Sequence, residues 1–505
     1  MKNKILNFFE LEKNLKPLRK KKIVHCHGVF DLIHIGHLKH FESAKKYGDI
    51  LIVSLTPDKY VSKGFNRPYF NSEQRLESLS LIESIDYVVL NKTSNAVDII
   101  NKIKPNFYCK GPDYRDYKND ITGQIKNEEN AVKKNKGKIV FTKDETYSSS
   151  AILNKFSNTF DYLQKKFISK IKNEINLNKF NSQFKKLEKL KVLVIGETII
   201  DNYIYCEALG KSGKEPHLVL RDLYEEHYLG GVIAIGKNIS NFCKKVGVLT
   251  MLGKDKKFQK LIKKNLSKNV DIKYLYKSNS PTIIKKRYIE HVSKNKIFGV
   301  YSLNDELLNK KDEILFKKIV EKEIRKYDIV VVSDYGHGLI SDGLAKLLCK
   351  KSKFLALNAQ ANASNIGYHT IQKYHNVDCV VMNETELRHE LRDKNEKLNI
   401  LIKRLAKKIK IKNLIVTRGS EGAILFNSNK NKYFDSPAFA SKVVDKVGAG
   451  DSMLSIISIM LKLKFKELTS LFLGSLAGAI SVGEMSNKFS ISKVKLLKYM
   501  SHTLK

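Results

Sequence analysis

Two histidines and a glycine stand close together in the segment GVFDLIHIGHLKH, residues 28–40. His34 and His37 are three residues apart, with Gly36 between them. Imidazoles beside free backbone amides at a helix start can bind the phosphates of a nucleoside triphosphate and stabilise the charge that develops as pyrophosphate leaves. Two histidines at this spacing can also ligate a metal, but no carboxylate or cysteine supplies an evident third ligand.

Three further histidines flank this pair in the sequence. His25 and His27 alternate along a predicted strand and should therefore share one face of it. His40 is expected to be an ordinary residue of the helix surface. We expect all three to lie outside the reaction.

A second glycine-rich segment, DKVGAGD at residues 445–451, comes directly before an apolar stretch of helical pattern. Gly448, Ala449 and Gly450 let the backbone approach a ligand closely and aim amides at an anion. Asp451 then stands at the helix start, where its carboxylate can accept a hydroxyl proton during phosphoryl transfer. A plain turn with Asp451 as a helix cap is the alternative for this segment alone.

The elements that must position the histidine pair alternate between strand and helix. KIVHCHG predicts a strand, GHLKHFESAKKYG a helix and DILIVSLTP a second strand, which make one βαβ unit. A further helix follows, with Asn71 or Ser72 as its N-cap. The alternation predicts a parallel sheet with the histidine pair at the carboxyl end of its first strand, where ligands bind.

A second α/β series begins at KVLVIGETIIDNY and leads to the segment that contains Asp451. The stretch before it is rich in lysine and asparagine and contains neither glycine nor proline. We therefore predict an α/β protein with two doubly wound domains, residues 1–158 and 190–505, joined by a basic helical linker over residues 159–189.

Composition narrows the class of protein. A length of 505 residues with 42% hydrophobic and 29% charged residues indicates a folded chain of two or three domains. No apolar run is long enough to cross a bilayer and the first residues lack the pattern of a secretory leader, so we expect a cytoplasmic protein. The six scattered cysteines form no CxxC pair and are expected to be free thiols.

The formal net charge of +40 raises the possibility of a nucleic-acid-binding protein. Lysine is spread over every segment, however, and no nucleic-acid-binding signature accompanies it. We expect no nucleic-acid partner and interpret the charge as compositional, with a field that attracts anionic phosphorylated substrates.

The first motif set resembles the nucleotidyltransferase family with the HxGH signature, near its glycerol-3-phosphate cytidylyltransferase and heptose-phosphate adenylyltransferase branch. SKGFNRPYFNSEQRLESL, CKGPDY and YSSSAILNK match further family segments in the expected order, and together the matches cover about residues 22–156. HxGH also occurs in class I aminoacyl-tRNA synthetases, but the nearest string to their second motif, EMSNK at 484–488, lies in the other domain.

This resemblance implies a Rossmann-like domain that transfers a nucleotidyl group to a phosphorylated acceptor, with Mg²⁺ bridging the phosphates. It implies that His34 and His37 are catalytic. It further implies nucleotide contacts for Gly28, Phe30, Asp31, Gly36, Lys63, Arg75, Lys110, Ser148, Ser149 and Ser150, and places Asp113 beside Lys110 in the CKGPDY segment.

Residues 191–500 resemble the ribokinase-type (PfkB) sugar kinase family, with VVDKVGAGDSML as its second signature. This resemblance implies a ribokinase-like αβα domain with a small β lid, in which Asp451 is the catalytic base. It implies nucleotide and phosphate contacts for Asn383, Glu386, Thr417, Gly419, Gly448, Ala449 and Gly450, with Glu386 holding Mg²⁺ through water. Its implied sugar contacts are Asp201, Gly230, Gly231 and Arg287.

Two departures from the kinase pattern fall at the sugar-recognition end. Ala234 stands where the family usually has an asparagine that holds sugar hydroxyls, and LNAQANASN replaces a usual Asp-Pro. These departures leave two interpretations open, an active kinase with a different substrate or a catalytically silent sugar-binding module.

The two resemblances together are similar to the bifunctional enzymes of ADP-heptose synthesis, with the order of the domains reversed. They imply phosphorylation of a sugar or sugar phosphate at the anomeric hydroxyl, followed by nucleotidyl transfer from ATP or CTP to the sugar 1-phosphate, for nucleotide-sugar and lipopolysaccharide synthesis. The kinase family also implies a homodimer through the lid, which we expect around residues 215–229.

Overall fold

The computed structural model describes residues 4–61, 63–65, 67–112, 115, 124–144, 159–362 and 364–505. Its contacts divide the chain into a first unit, Met1–Asp161 with Leu497–Lys505, and a second unit, Tyr162–Leu496. The expectation of two α/β domains is confirmed.

The first unit contains one parallel sheet with helices on both faces. Its strands are β1 Ile5–Leu6, β2 Ile23–Gly28, β3 Ile50–Leu55, β4 Tyr87–Leu90, β5 Phe107–Lys110 and β6 Lys138–Phe141. Its helices are α1 Leu11–Leu15, α2 Ile35–Lys45, α3 Ser72–Ser80, α4 Val97–Ile103 and α5 Gln124–Lys134. The strand order is β1-β4-β3-β2-β5-β6.

Strand β3 shows why this sheet is covered on both faces. Every residue of its sequence ILIVSL is buried, as expected for a central strand of a parallel sheet. Ile50 and Ile52 pack in one apolar cluster, whereas Leu51 and Val53 pack in another. Because successive side chains point to opposite faces, the two clusters are the cores on the two sides of the sheet.

The strand order reverses between β2 and β5. The chain passes from β2 to β3 on one side, whereas β5 and β6 extend the sheet on the other. Such a switch point opens a crevice at the carboxyl ends of the two strands. The loop after β2, which leads into α2, therefore lies where the sheet favours a ligand.

The second unit begins with two helices, α6 Tyr162–Glu174 and α7 Leu177–Lys185. Residues 159–189, which we predicted as a basic helical linker, contain these two helices, and several of their apolar side chains pack within the second unit. Phe167 packs 5.7 Å from Phe472 between ring centres, and Phe180 lies 5.6 Å from Phe465. The expected linker is therefore part of the second unit's core, while its lysines face outward.

A nine-stranded sheet forms the body of the second unit, in the order β11-β10-β7-β14-β15-β16-β17-β18-β19. These strands are β7 Lys191–Gly196, β10 Lys245–Gly253, β11 Val270–Lys277, β14 Ile329–Asp334, β15 Leu355–Ala359, β16 Val377–Asn383, β17 Ile411–Thr417, β18 Ala423–Asn427 and β19 Lys432–Ser436. The pairs are parallel from β11 to β17 and antiparallel from β17 to β19.

Helices cover this sheet. They are α8 Val232–Ser240, α9 Gln259–Asn265, α10 Lys310–Ile324, α11 Asp342–Lys351, α12 Glu384–Leu391, α13 Leu398–Lys408, α14 Ala449–Lys462, α15 Glu467–Val482 and α16 Lys493–Thr503, whose last residues count with the first unit. Helices α14 and α15 are buried along most of their length, which explains their nearly unbroken apolar sequence.

A separate four-stranded sheet has the order β13-β12-β8-β9. Its strands are β8 Thr198–Lys211, β9 Leu218–Gly231, β12 Ile284–Glu290 and β13 Lys296–Ser302. Most of the segment expected to form the lid lies on β9, so the predicted small β lid is present. It brings Asp201 on β8, Gly230 on β9 and Arg287 on β12 into one sheet.

Candidate active sites

In the first unit, His34 is the N-cap residue of α2 and His37 lies in the first turn of that helix. The His37 backbone N–H donates to the His34 carbonyl at 2.8 Å. The two imidazole rings stack with their centres 3.9 Å apart. The predicted pair is therefore one structural feature at a helix start, which is the end of the helix that attracts anions.

The imidazoles of this pair are neutral at physiological pH. Burial, with His34 and Lys63 nearby, lowers the pKa of His37 to about 3. Burial and Lys63 also lower the pKa of His34. The pair therefore offers neutral N–H donors to phosphate oxygens, and the positive charge comes from Lys63. Burial and the neighbouring Arg67 lower the pKa of that lysine to about 8.

Phe30 packs against α2, the helix that begins in the HxGH motif. It has a left-handed backbone conformation with φ of 45°, which is strained for a bulky residue. Its ring lies 5.5 Å from that of His37 and 5.1 Å from that of Phe41. A Cβ atom on Gly28 would lie 2.8 Å from this ring. Gly28 and Phe30, which were predicted to contact nucleotide, therefore position the His37 ring. Gly36, also predicted to contact nucleotide, is buried in α2.

Asp31, also predicted to contact nucleotide, is buried against the loop that precedes α3. It accepts hydrogen bonds from the Tyr69 N–H at 2.7 Å and the Phe70 N–H at 3.0 Å. It also forms an ion pair with Arg67. Asp31 therefore links the loop after β2 to the loop before α3. Its partner Arg67 is a residue that the sequence reasoning missed.

Arg75 has a different position from the one predicted. It is buried in α3, and every guanidinium nitrogen donates to a protein oxygen. The acceptors include the Phe70 carbonyl at 3.0 Å, the Val29 carbonyl at 2.5 Å and the Thr56 carbonyl at 3.1 Å. The structure assigns Arg75 to holding these loops together, in place of the predicted phosphate contact.

Lys110 ends β5, the strand on the other side of the switch point from β3. Its Nζ lies 2.9 Å from Glu128 Oε2 in a buried ion pair. Its charge contributes to the lowered pKa of His27, which burial brings to about 3. The sequence predicted Lys110 at the site but not its acidic partner.

The structure agrees with the prediction for His25 and His27 but not with the prediction for His40. His25 Nε2 and His27 Nδ1 each lie 2.7 Å from Ser54 Oγ, so they share one face as predicted. His40 is not an ordinary surface residue, because it is half-buried and its Nδ1 lies 3.1 Å from Thr142 Oγ1. Asp113, Ser148, Ser149 and Ser150 lie outside the described residues.

In the second unit, Gly448 is the N-cap of α14, with a φ of 87° that favours glycine. Ala449 and Gly450 open the helix, and Asp451 is its third residue. The first-turn amides and the Asp451 carboxylate are therefore adjacent, as the phosphoryl-transfer interpretation requires. The plain-turn alternative explains the glycine but not the partner of Asp451.

That partner is Tyr335, which follows β14. Its hydroxyl lies 2.9 Å from both carboxylate oxygens of Asp451. Burial raises the pKa of Asp451 to about 6, while this hydrogen bond opposes the increase. Asp451 is therefore ionised at neutral pH and able to accept a proton from a bound hydroxyl.

The NETE motif forms a capping box at the start of α12. Asn383 Oδ1 accepts from the Glu386 N–H at 2.7 Å, and Glu386 Oε2 accepts from the Asn383 N–H at 2.8 Å. Burial raises the pKa of Glu386 to about 7, with Asp451 adding to the increase. Carboxylate oxygens are ligands that a hard cation such as Mg²⁺ prefers, directly or through water.

A cleft of about 450 Å³ brings the predicted nucleotide residues of this unit together. Its lining includes Asn383, Glu386, Thr417 and Gly419. These residues lie at the ends of β16 and β17, which are adjacent in the sheet. The sequence motifs therefore converge in space.

The predicted sugar residues also meet. Asp201 and Arg287 form a buried ion pair across β8 and β12. A Cβ atom on Gly230 would lie 2.6 Å from Asp201 Oδ2, so only glycine leaves room for this carboxylate. Gly231 has a φ of 59° and precedes α8.

Comparison with known proteins identifies a family for each of the two regions. The sequence model of the pfkB family of carbohydrate kinases matches residues 189–493. The chain belongs to the pfkB family. A second model, described as cytidylyltransferase-like, matches residues 25–155, so the transferase-like region precedes the pfkB region.

Several curated relatives of this pfkB protein carry the name bifunctional protein HldE. The one from Campylobacter jejuni strain RM1221 is 26% identical over 323 residues, which are 63% of this chain and 67% of that protein. The one from Aliarcobacter butzleri is 41% identical over 124 residues, which are 24% of this chain and 26% of that protein. The matched stretch thus spans about two thirds of the Campylobacter jejuni protein and about a quarter of the Aliarcobacter butzleri protein.

Among solved structures, phosphofructokinase-2 from Escherichia coli in complex with potassium superposes with a TM-score of 0.52 at 15% identity. The superposition covers 63% of this chain and 100% of that chain. This likeness concerns the fold of the pfkB region. Among the described residues, none of the helices combines the length and apolar character that crossing a bilayer requires.

Three residues of the pfkB unit escaped the sequence reasoning. Tyr335 contacts Asp451, and Glu197 accepts from the Tyr335 N–H at 3.0 Å. Lys285 is buried on β12 with its Nζ 5.8 Å from the centre of the Tyr335 ring. The string SDYGHG at the carboxyl end of β14 was the available signal for Tyr335, because this edge of a parallel sheet binds ligands.

Ala234, predicted as a departure from the kinase pattern, lies at the start of the helix that follows Gly231. Its side chain is buried in the first turn of α8, where a methyl group makes no hydrogen bond. Asn238, one turn later, is committed to the protein, since its Oδ1 accepts from the Ile491 N–H at 2.8 Å. Asn238 therefore does not replace the missing amide.

Proposed function

We propose that this chain makes an activated sugar in two steps. The pfkB unit phosphorylates a sugar or sugar phosphate of the heptose-phosphate class at its anomeric hydroxyl, with ATP as donor. The transferase unit then joins the sugar 1-phosphate to a nucleotidyl group. The observation that carries this proposal is the presence, in one chain, of an Asp451 site for making a phosphate and an HxGH site for using one.

In the first step, Asp451 accepts the proton of the sugar hydroxyl as the hydroxyl oxygen attacks the γ-phosphorus of ATP. The bond between that phosphorus and the bridging oxygen breaks, and ADP leaves with the electron pair. The amides of Gly448, Ala449 and Gly450 face the transferred group and offset its charge. The Asp201–Arg287 pair presents oxygen and nitrogen ligands for sugar hydroxyls or phosphate.

In the second step, the sugar phosphate is already a nucleophile, so the site needs no base. Its oxygen attacks the α-phosphorus of a nucleoside triphosphate, and pyrophosphate leaves. His34 and His37 donate to the phosphates as neutral imidazoles, and Lys63 offsets the negative charge that moves onto the leaving group. Whether the donor is ATP or CTP is decided by measuring which one yields pyrophosphate.

A magnesium ion fits the pfkB site. The Glu386 carboxylate lines the cleft that the nucleotide motifs form, and carboxylate oxygens are ligands that Mg²⁺ prefers. When bound, the ion offsets charge on the triphosphate. We propose that Glu386 holds it through water, while its other oxygen keeps the capping box of α12.

Ala234 supports a second candidate, in which the pfkB unit is a silent sugar-binding module and only the transferase is active. Loss of an amide at the sugar end weakens recognition but leaves Asp451 and its partners in place. The two candidates differ in ADP release. A kinase releases ADP from ATP and a sugar phosphate, whereas a silent module binds the sugar phosphate without turnover.

The test uses the full chain with ATP, CTP, Mg²⁺ and a panel of sugars and sugar phosphates, with mass spectrometry of the products. Asp451→Asn is expected to lower ADP formation by about 10²- to 10⁴-fold and to leave pyrophosphate release from supplied sugar 1-phosphate unchanged. His37→Ala is expected to lower pyrophosphate release by about 10²- to 10³-fold and leave ADP formation unchanged.

Failure of the panel to yield ADP or pyrophosphate contradicts the proposal. Pyrophosphate without ADP supports the silent module. Loss of both activities in either variant contradicts independent sites.

We also propose that the chain acts in the cytoplasm, where its triphosphate substrates are available, and dimerises through the lid. The lid exposes apolar side chains of Tyr224, Phe298 and Val300. Sedimentation of the wild type and of Val300→Lys tests the dimer: a wild-type dimer that becomes monomeric in the variant supports it, and a wild-type monomer contradicts it.

A further inference from the structure

Two thiols and an imidazole converge between the sheet and α2 of the first unit. Cys26 on β2 and Cys109 on β5 are register partners across the switch point, and His40 lies on α2. One donor atom from each residue lies within 4.8 Å of the others. Both cysteines are buried, with relative exposures of 0% and 1%.

We propose that Cys26, Cys109 and His40 bind a thiophilic divalent cation of the zinc class. Two sulfurs and one imidazole nitrogen are a ligand set that such cations prefer. With metal–sulfur distances of about 2.3 Å, tetrahedral ligands lie about 3.8 Å apart. The observed donor atoms all lie within 4.8 Å of one another, so binding requires them to approach by no more than about 1 Å.

The elements that carry the donors favour this approach. Cys26 and Cys109 pack in the same apolar cluster as Phe41, the neighbour of His40 on α2. Their side chains therefore point to the face of the sheet that α2 covers. His40 is half-buried and gives a solvent-side approach to the thiols.

The imidazole is already oriented by a neighbour. His40 Nδ1 lies 3.1 Å from Thr142 Oγ1, and Thr142 is buried. A cation bound to the other ring nitrogen would complete the arrangement by which outer groups orient metal-bound histidines. Asp144 adds negative charge nearby, because it opposes the lowering of the His40 pKa that burial causes.

The carboxylate of Asp144 is itself held in place. Ser43 Oγ donates to its Oδ1 at 2.9 Å. Its Oδ2 is buried and has no hydrogen-bond partner among the described residues. A cation beside His40 would give this oxygen a positive neighbour, directly or through water.

Charge balance requires the thiols to lose their protons. Burial and the adjacent Cys109 raise the pKa of the Cys26 thiol, so without a cation the pair is neutral. As the two sulfur–metal bonds form, two protons leave to solvent, and the buried charge of the cation is neutralised by two thiolates. Three protein ligands leave a fourth position for water.

Buried cysteines often act only as small apolar side chains. Cys206, Cys243 and Cys379 do so here, since none of them joins a comparable donor group in the described part of the chain. Cys379 is fully buried in β16 and is a matched control.

The experiment uses the full chain, reduced and stripped with a chelator, and titrates it with Co²⁺ and then Zn²⁺. We expect one Co²⁺ per chain with thiolate-to-metal charge-transfer absorption, displaced by one Zn²⁺, and the release of two protons. Magnesium sites formed by oxygen atoms give no such absorption. Zinc is also expected to raise the midpoint of thermal unfolding of the first unit.

The absorption and the thermal shift should be lost in Cys26→Ser and Cys109→Ser and kept in Cys379→Ser. Thr142→Val, which leaves all three ligands in place, should weaken binding by about 10- to 100-fold. If either serine variant fails to fold, the alanine variant at the same cysteine replaces it, with the same expected loss. Absence of charge-transfer absorption in the wild type, or its persistence in a folded ligand variant, overturns the proposal.

Discussion

The hydroxyl of Tyr335 lies 2.9 Å from both carboxylate oxygens of Asp451. A donor so placed stabilises the ionised carboxylate and fixes its orientation toward the substrate side of α14. Burial alone would raise the pKa of Asp451 further than the value of about 6 that it has with Tyr335 in place. Tyr335 is therefore a positioning residue for the proposed base.

We predict that kinase activity falls as the pH decreases from about 7 to about 6, because Glu386 becomes protonated first and Asp451, once protonated, cannot accept the hydroxyl proton. Tyr335→Phe removes the donor, so it should move this acidic limb to higher pH, by about one pH unit. The measurement is the pH profile of kcat for ADP release. Tyr433→Phe, which removes a hydroxyl that donates to the Asn399 carbonyl, is the control. An unmoved limb in Tyr335→Phe refutes the positioning role.

Lys63 gives the transferase a different pH dependence. Its pKa is lowered to about 8 by burial and Arg67, so its charge is present below pH 8 and lost above it. We predict that KM for the triphosphate rises as the pH increases through about 8. Lys63→Arg keeps its charge at all these pH values and should remove this alkaline rise. The exposed Lys59→Arg should leave the profile as in the wild type, and an alkaline rise that survives in Lys63→Arg contradicts the assignment.

Gly230 tests the sugar end of the pfkB unit. In Gly230→Ala the new methyl group would lie 2.6 Å from Asp201 Oδ2 and displace this carboxylate from Arg287. We predict a rise in KM for the sugar phosphate of about tenfold or more, with KM for ATP unchanged. Gly213→Ala, in the lid turn where an added Cβ meets nothing within 4 Å, is the matched control. Equal effects on both substrates would indicate a general disturbance of the fold.

A variant of Arg75 tests whether this residue stabilises the fold or binds phosphate. Arg75→Met removes an ion pair with Asp58 and a buried donor to the carbonyls of Phe70, Val29 and Thr56. Leaving these groups unpaired costs about 1–3 kcal/mol of unfolding free energy. We predict a lower midpoint for the calorimetric transition of the first unit, by about 2–4 °C per kcal/mol. KM for the triphosphate should change little well below that transition. A large rise in KM without a thermal shift would instead support the predicted contact between Arg75 and phosphate. Lys39→Met, at an exposed position, is the control for the loss of a positive charge.

Much of the fold was predictable because its signals are local. The buried run ILIVSL predicts a central parallel strand, and Asn71 caps α3 with the capping box that its sequence favours. GVFDLIHIGH and DKVGAGD place their chemistry at helix starts, where the nearest residues determine the geometry. The basic segment before Leu190 was predicted as helical for the same reason, but its periodicity did not reveal that Phe167 and Phe180 pack in the second unit.

The sequence by itself determined the two phosphate-handling motifs, the order of the two regions and the α/β class, since each depends on residues that are close along the chain. Only the tertiary structure decided that Tyr335 contacts Asp451, 116 residues away in the sequence. It also decided that the Arg75 guanidinium donates to backbone carbonyls and that Cys26 lies opposite Cys109. Such contacts depend on strand order and helix packing, which are set by burial of the whole core. The sequence around each partner therefore contains no hydrophobic periodicity that predicts the contact.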